Sequence, residues 1–268
     1  PPEDLVFKPA FQGTVESAVA KLARETGDGG PGLVVGCPWR HEGKLFNAAL
    51  VLAEGSVQAV RFKHELPNYG VFDEARVFAP GPLPGPVSYR GVRLGLMICE
   101  DMWTPDVTEC LQETGAEILI VGNGSPFDVA KSGVRLSLAV ARVVESGLPL
   151  LYVNQVGGQD ELVFDGGSVV FDQRGELLAR AGQFEEELLV VDLDVDSVIR
   201  DRQQDIRPRG KKTDSPGFLD TSQVVCVSLD YATKPGKLHL ERRVVTPLDG
   251  PAEVYQALVI GTRDYVKK

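Results

Sequence analysis

A layered α/β fold with a mixed sheet is predicted by three features of the 268-residue chain. Short apolar runs, each the length of one buried strand, recur at Leu33–Cys37, Val92–Ile98, Ile118–Val121 and Leu150–Val153. Segments of helical period separate several of them, as from Lys131 to Ser146. Hairpin-like strand pairs interrupt this alternation, so the sheet is expected to hold antiparallel as well as parallel neighbours.

Taken in order, Gly13 to Glu25 places Val15, Ala18, Val19 and Leu22 on one helical face. The turn cluster Gly27 to Gly32 leads into Leu33–Cys37, read as a buried strand. Asn47 to Leu52 and Val57 to Phe62 form a hairpin around Ala53-Glu54-Gly55-Ser56. The Pro- and Gly-dense stretch from Ala79 to Pro86 is loop. Thr104-Pro105 starts a helix, with a capping hydroxyl and Pro at its first position, and that helix runs to about Gly115. The helix from Lys131 ends at Gly147. Ser168 to Phe171 and Leu188 to Leu193 are read as further strands, and Gln173-Arg174-Gly175 as a turn. Past Asp196 a charged arm is expected, from Arg200 through Lys212 and on to about Pro251. Val254, Ala257, Leu258 and Tyr265 then suggest a helix of a following domain. The expected division is residues 1–196 as one α/β domain, 197–250 as linker or arm, and 251–268 as the start of another domain.

Composition narrows the function. Asp and Glu number 38 against 28 Lys and Arg, a formal net charge of −10, which disfavours a nucleic-acid surface. No apolar stretch is long enough to span a bilayer, and no signal peptide is evident, so no membrane partner is expected. Cys37, Cys99, Cys110 and Cys226 form no CxxC pair and are read as reduced thiols of a cytoplasmic protein. The scattered His41, His64 and His239 disfavour a metal site. The chain opens at Pro1-Pro2 without an initiator Met and closes inside an amphipathic pattern, so both ends are expected to be cut from something longer.

The chemistry centres on Cys99. It closes the apolar run Val92–Ile98 and is followed by Glu100-Asp101-Met102-Trp103. A thiol where a strand gives way to a loop is placed as a nucleophile would be, although the same position suits a packed structural cysteine. Lys63 ends another strand and precedes the turn Pro67-Asn68-Tyr69-Gly70, with Glu74 just beyond. An ammonium near the sulfur would lower the thiol pKa and stabilise an oxyanion. Lys63 and Glu74, taken singly, read as solvated surface residues. Asn123-Gly124-Ser125-Pro126-Phe127 and the long segment Asn154 to Ser168 are candidate ligand-lining loops. Thiol, amine and polar donors together suit acyl transfer from an amide, with a thioester intermediate. No histidine is paired with Cys99 to serve as its base.

These blocks together resemble the glutaminase part of glutamine-dependent NAD synthetases, in the nitrilase (carbon–nitrogen hydrolase) superfamily. The matching stretches are Pro1-Pro2-Glu3-Asp4-Leu5, Leu66 to Glu74, Ile98 to Trp103, Asn123 to Phe127 and Asn154 to Ser168. Val244 through Tyr265 is similar to the start of the synthetase domain. The resemblance implies a nitrilase-type α-β-β-α sandwich with mixed sheets, followed by the arm and the first helix of the second domain. It implies Cys99 as nucleophile, Lys63 as oxyanion stabiliser with the next backbone N–H, and Glu74 as a supporting glutamate. Tyr69, Glu100 and Ser125 match positions that contact the glutamine substrate.

The family's general-base glutamate lies a few residues before the Pro-Pro-Glu-Asp-Leu block, and this sequence holds no counterpart. The glutaminase part is expected to need no cofactor. ATP, Mg2+ and nicotinic acid adenine dinucleotide are expected at a synthetase domain whose ATP loop is absent from these residues. Ammonia would pass to that domain through a tunnel, and homo-oligomers are implied by the relatives. Two other readings stay open on the residues alone. One is a stand-alone amidase for another small amide. The other is a catalytically incomplete interaction module.

Overall fold

A computed structural model describes residues 3–129, 131–204, 227–229 and 240–268. Its organising strand is β2 (Lys44–Ala53), which lies between β1 (Leu33–His41) and β3 (Ser56–Phe62) in an antiparallel sheet of three. Every residue of β2 from Ala48 to Ala53 is buried, because both of its faces are covered. Ala48, Leu50 and Leu52 pack beneath Val19 and Ala23 of helix α1 (Pro9–Glu25). Val51, one step out of phase, packs with Val87 and Leu96 of a second sheet. The period-2 alternation of a strand divides the two sets.

The second sheet contains β4 (Val87–Tyr89), β5 (Val92–Ile98), β6 (Ile118–Asn123), β7 (Leu150–Asn154), β10 (Val169–Phe171), β11 (Leu177–Arg180) and β12 (Val227–Leu229). Its spatial order is β11-β10-β7-β6-β5-β4-β12. β5, β6 and β7 run parallel, β4 pairs antiparallel with β5 but parallel with β12, and β10 pairs antiparallel with both β7 and β11. Parallel neighbours need helical crossovers, which α3 (Pro105–Glu113) and α4 (Lys131–Ser146) supply. Both helices cover the outer face of this sheet: Val107, Leu111, Ala139 and Val143 pack with Met97, Leu119, Val121 and Leu150. The layers are therefore α1, the small sheet, the large sheet, and α3 with α4. This is the expected α-β-β-α sandwich with mixed sheets.

Three two-residue hairpin turns share one pattern. Glu42-Gly43, Glu54-Gly55 and Arg90-Gly91 all have positive φ at both positions, the geometry that matches strand twist and favours Gly second. Several expectations need correction. Leu33–Cys37 belongs to a longer strand that is not buried, since β1 is a sheet edge and Val34 is 41% exposed. Helix α1 begins at Pro9, a residue suited to a first turn, rather than at Gly13. Thr104 precedes α3 as expected, but its hydroxyl makes no capping bond.

Asn154 to Ser168 is no loop: it contains the hairpin of β8 (Val156–Gln159) and β9 (Leu162–Asp165). Leu188–Leu193 lies outside any strand, with Leu188 88% exposed. Its alternation finds no partner at β11, whose free edge is taken by Arg243–Val245. Arg180 donates its N–H to Arg243 O (2.9 Å) and accepts that of Val245 (3.1 Å).

The expected arm begins as helix α5 (Val195–Gln204), and Val198 is buried in the main core. Most of the remaining arm, including Lys212, lies outside the described residues. The C-terminal helix α6 (Gly250–Lys267), capped by Asp249 on the N–H of Ala252 (2.9 Å), packs on the β8–β9 hairpin. Ala257 and Ile260 meet Phe184, Val156 and Val163. Tyr255, Leu258 and Tyr265 of the same helix are exposed. No helix among the described residues is long and apolar enough to cross a membrane.

Gly158 lets α6 approach, because a Cβ there would lie 3.0 Å from Gly261 Cα and 3.2 Å from Ile260 O. Gly158→Val is expected to loosen the helix from the hairpin. Limited proteolysis under native conditions should then cut within residues 250–268 faster than in the parent chain. Equal cleavage rates would mean that this contact does not hold the helix.

Candidate active site

The site forms where the two sheets face each other. β5 stops at Ile98, and Cys99 opens a single 3-10 turn, Cys99–Met102. Its φ of +48° puts a side-chain-bearing residue in the left-handed region. That conformation costs on the order of 1–2 kcal/mol and is retained where the surroundings impose it. The thiol is buried and packs with Ile98 and with Ala49 of the opposite sheet. Burial pushes Cys99 up to about 11. The Lys63 charge and an N–H bond from Gly124 oppose that rise, while Glu74 and Glu100 add to it. At neutral pH the group is a thiol that needs a proton acceptor in order to attack.

Lys63 follows β3 directly, and its amine is fully removed from solvent. It donates to both oxygens of Glu74, at 2.9 and 2.8 Å. Glu74 is the first residue of the short helix α2 (Glu74–Val77) and is itself buried. Asn47 Nδ2 donates to it as well, at 3.4 Å. The backbone around Lys63 is equally held: its N–H donates to Asn47 O, and its carbonyl accepts from Gly81, both at 2.8 Å. A buried ammonium is tolerated only when paired in this way. The two residues that read singly as surface charges therefore form an enclosed ion pair.

The other anticipated residues gather nearby. Tyr69 donates its hydroxyl to Glu100 Oε1 at 2.7 Å, joining the turn after Lys63 to the residue after Cys99. Tyr69 is half exposed, as a residue at a pocket mouth would be. Ser125 is buried just beyond β6, next to the Gly124 N–H that meets the sulfur. Among the described residues no group of three His, Cys, Asp or Glu could hold a metal ion.

Two further features were not anticipated. Asp101 is buried and accepts three backbone N–H groups, from Ile98, His64 and Glu65, at 3.0, 3.0 and 2.9 Å. Burial pushes its carboxyl up to about 6, against the pull of those bonds and of Lys63. An acid three residues past a strand end can reach back to the backbone N–H at that end, one half of a capping box, so the motif itself offers a clue. The second feature is a polar chain at the ends of β6 and β7. Arg135 pairs with Asp165 in the interior, and Asn154 Nδ2 donates to Asp165 (3.4 Å) and to Gly166 O (3.0 Å). Asn154 Oδ1 accepts from the Ser125 N–H (3.2 Å) and from Asn123 Nδ2 (3.3 Å), and Asn123 also donates to the Tyr152 hydroxyl. These residues come from four separate segments, so no local pattern joins them.

The model of the carbon–nitrogen hydrolase family matches residues 6–203. Glutamine-dependent NAD(+) synthetase of Rhodobacter capsulatus is 38% identical over 266 residues, covering 99% of this chain and 41% of that protein. The chain thus spans about two fifths of the length of that relative. A solved structure of glutamine-dependent NAD+ synthetase from Acinetobacter baumannii superimposes with a TM-score of 0.77 at 33% identity, over 100% of this chain and 43% of that one. An amidase from Nesterenkonia, with acrylamide added to its active-site cysteine, gives 0.63 at 31% identity, over 76% of this chain and 78% of that one.

Glu74→Ala strands the buried Lys63 charge, and a loss of about 3–5 kcal/mol is expected in urea denaturation. The double change Lys63→Met with Glu74→Leu should recover most of it. The state of the thiol gives a second outcome. Since burial pushes Cys99 up to about 11, its carbamidomethylation rate should rise about tenfold per pH unit between about pH 7 and 9. A rate that is flat across that range would reveal a thiolate already formed.

Proposed function

We propose that this chain, which belongs to the carbon–nitrogen hydrolase family, hydrolyses the side-chain amide of glutamine and supplies the ammonia for NAD synthesis. One observation carries the choice of substrate. Similarity to the two NAD synthetases compared above runs through 99–100% of the chain, whereas the amidase match covers 76%. The segment beyond the hydrolase domain thus has counterparts in the synthetases, which favours them over a stand-alone amidase.

In this reading the Cys99 sulfur attacks the carboxamide carbon and a tetrahedral oxyanion forms. The Lys63 ammonium and the backbone N–H of Glu100 stabilise that charge, in a site dry enough for both to act strongly. Collapse expels ammonia and leaves a thioester, which water hydrolyses to glutamate and the free thiol. Both Glu74 oxygens are engaged with Lys63, which suits a supporting role rather than that of the base. By the family resemblance, the base is a glutamate outside these residues. Tyr69, Glu100 and Ser125 are assigned to glutamine binding. The same proposal holds that the ammonia reacts with nicotinic acid adenine dinucleotide and ATP at a synthetase site, in a cytoplasmic homo-oligomer.

A glutamine-like electrophile such as a diazo-ketone analogue tests the assignment. It should alkylate Cys99 well ahead of Cys37 and Cys110, although Cys37 is the most exposed of these thiols. Glutamine should protect, and Cys99→Ala should abolish the labelling. Labelling in order of exposure, with no protection by glutamine, would refute the reading. A plain thiol reagent does not discriminate, because exposure alone favours Cys37.

A further inference from the structure

We propose that Asp101 is a positioning residue that sets the separation of the Lys63 ammonium and the Cys99 sulfur by holding both strand ends on one carboxylate. Oδ1 accepts the N–H groups of His64 and Glu65, the two residues directly after Lys63. Oδ2 accepts the N–H of Ile98, the residue directly before Cys99. The two strands that deliver these groups belong to different sheets, so no ladder of backbone bonds sets one against the other. Apolar packing between sheets is non-directional and leaves such a slide inexpensive. Three hydrogen bonds to one rigid carboxylate do not.

Asp101 is 2% exposed, so water cannot replace the bonds it makes. A carboxylate held there works against burial, which pushes its pKa up to about 6, and a purely space-filling residue would not require that. It also neighbours Glu100, so a shift of the turn would move the backbone N–H assigned to the oxyanion together with the Tyr69–Glu100 contact. The inference concerns the Lys63–Cys99 geometry and rests on the proposed function only for its catalytic consequence.

The test is the alkylation rate of Cys99 by iodoacetamide at about pH 8.5, read by peptide mass spectrometry against Cys37 in the same sample. Removing a negative charge beside a thiol by itself raises the thiolate fraction and speeds the reaction. Losing the Lys63 alignment does the reverse. Asp101→Asn, which is isosteric, is therefore expected to slow Cys99 about tenfold relative to Cys37, one pH unit of thiolate. Asp101→Glu keeps the charge but lengthens the arm, and should also slow it. In a Lys63→Met/Glu74→Leu background, Asp101→Asn should change the rate by less than about twofold, because the partner it positions is gone.

Thermal melting confirms that each variant is folded, and Asp101→Glu carries the test if the amide variant is not. Faster or unchanged alkylation in a folded variant, or equal slowing in both backgrounds, would overturn the proposal. In a longer protein that supplies the base glutamate, the same Asp101 change should lower kcat for glutamine hydrolysis with KM little changed. If alkylation responds as described and glutamine does not protect Cys99 of the parent from the glutamine-like electrophile, the proposed function fails and the role of Asp101 stands.

Discussion

A lysine amine with no exposed surface is the constraint around which this site is built. Its charge cannot be left alone in the interior, and Glu74 answers it with both oxygens. That pairing fixes the end of β3, the start of α2 and, through Asn47, the neighbouring strand β2. It also sets the resting state of the nucleophile. Lys63 favours the thiolate while Glu74, bound to it, disfavours it, and burial exceeds both. The result is a protonated cysteine that reacts when a base and a carbonyl arrive together, rather than a standing thiolate open to any electrophile.

The cysteine itself is presented by backbone strain. A positive φ at Cys99 turns the chain sharply off β5 and leaves the sulfur facing the opposite sheet. Such a conformation persists only when the surrounding structure over-determines it. Asp101 ties the turn from one side. From the other, Asn154, anchored by the Arg135–Asp165 pair, holds the segment whose Gly124 N–H reaches the sulfur. Donors held in place before the reaction need no reorganisation during it, which is the physical content of preorganisation.

Much of this was legible locally. Cys99 and Lys63 lie at the ends of apolar runs and Ser125 just past another, and the runs become β5, β3 and β6. The hairpin at Glu54-Gly55 follows from a residue pair suited to positive φ. Other segments misled for identifiable reasons. Leu188–Leu193 alternates like a strand, but Arg243–Val245 already occupies the edge it would need. Asn154–Ser168 reads as a loop because Gly157-Gly158 weakens its strand signal, yet Gly158 admits the close approach of α6. Leu33–Cys37 has the composition of a core strand and lies at an edge, since composition does not say how many neighbours a strand will have.

The chain's local chemistry by itself determined the layered α/β class, most of the strands, the tight turns and the placing of a thiol and an amine at strand ends. These follow from side-chain period and backbone sterics, which act over a few residues. Only the tertiary structure decided which charges meet. Glu74 reaches Lys63 across 11 residues, Asp101 reaches His64 across 37, and Arg135 reaches Asp165 across 30. Whether a carboxylate is a solvated ornament or the partner of a buried cation depends on what the packing of the two sheets brings beside it. No window along the chain contains that fact, because desolvation is a property of the assembled layers and not of the residue.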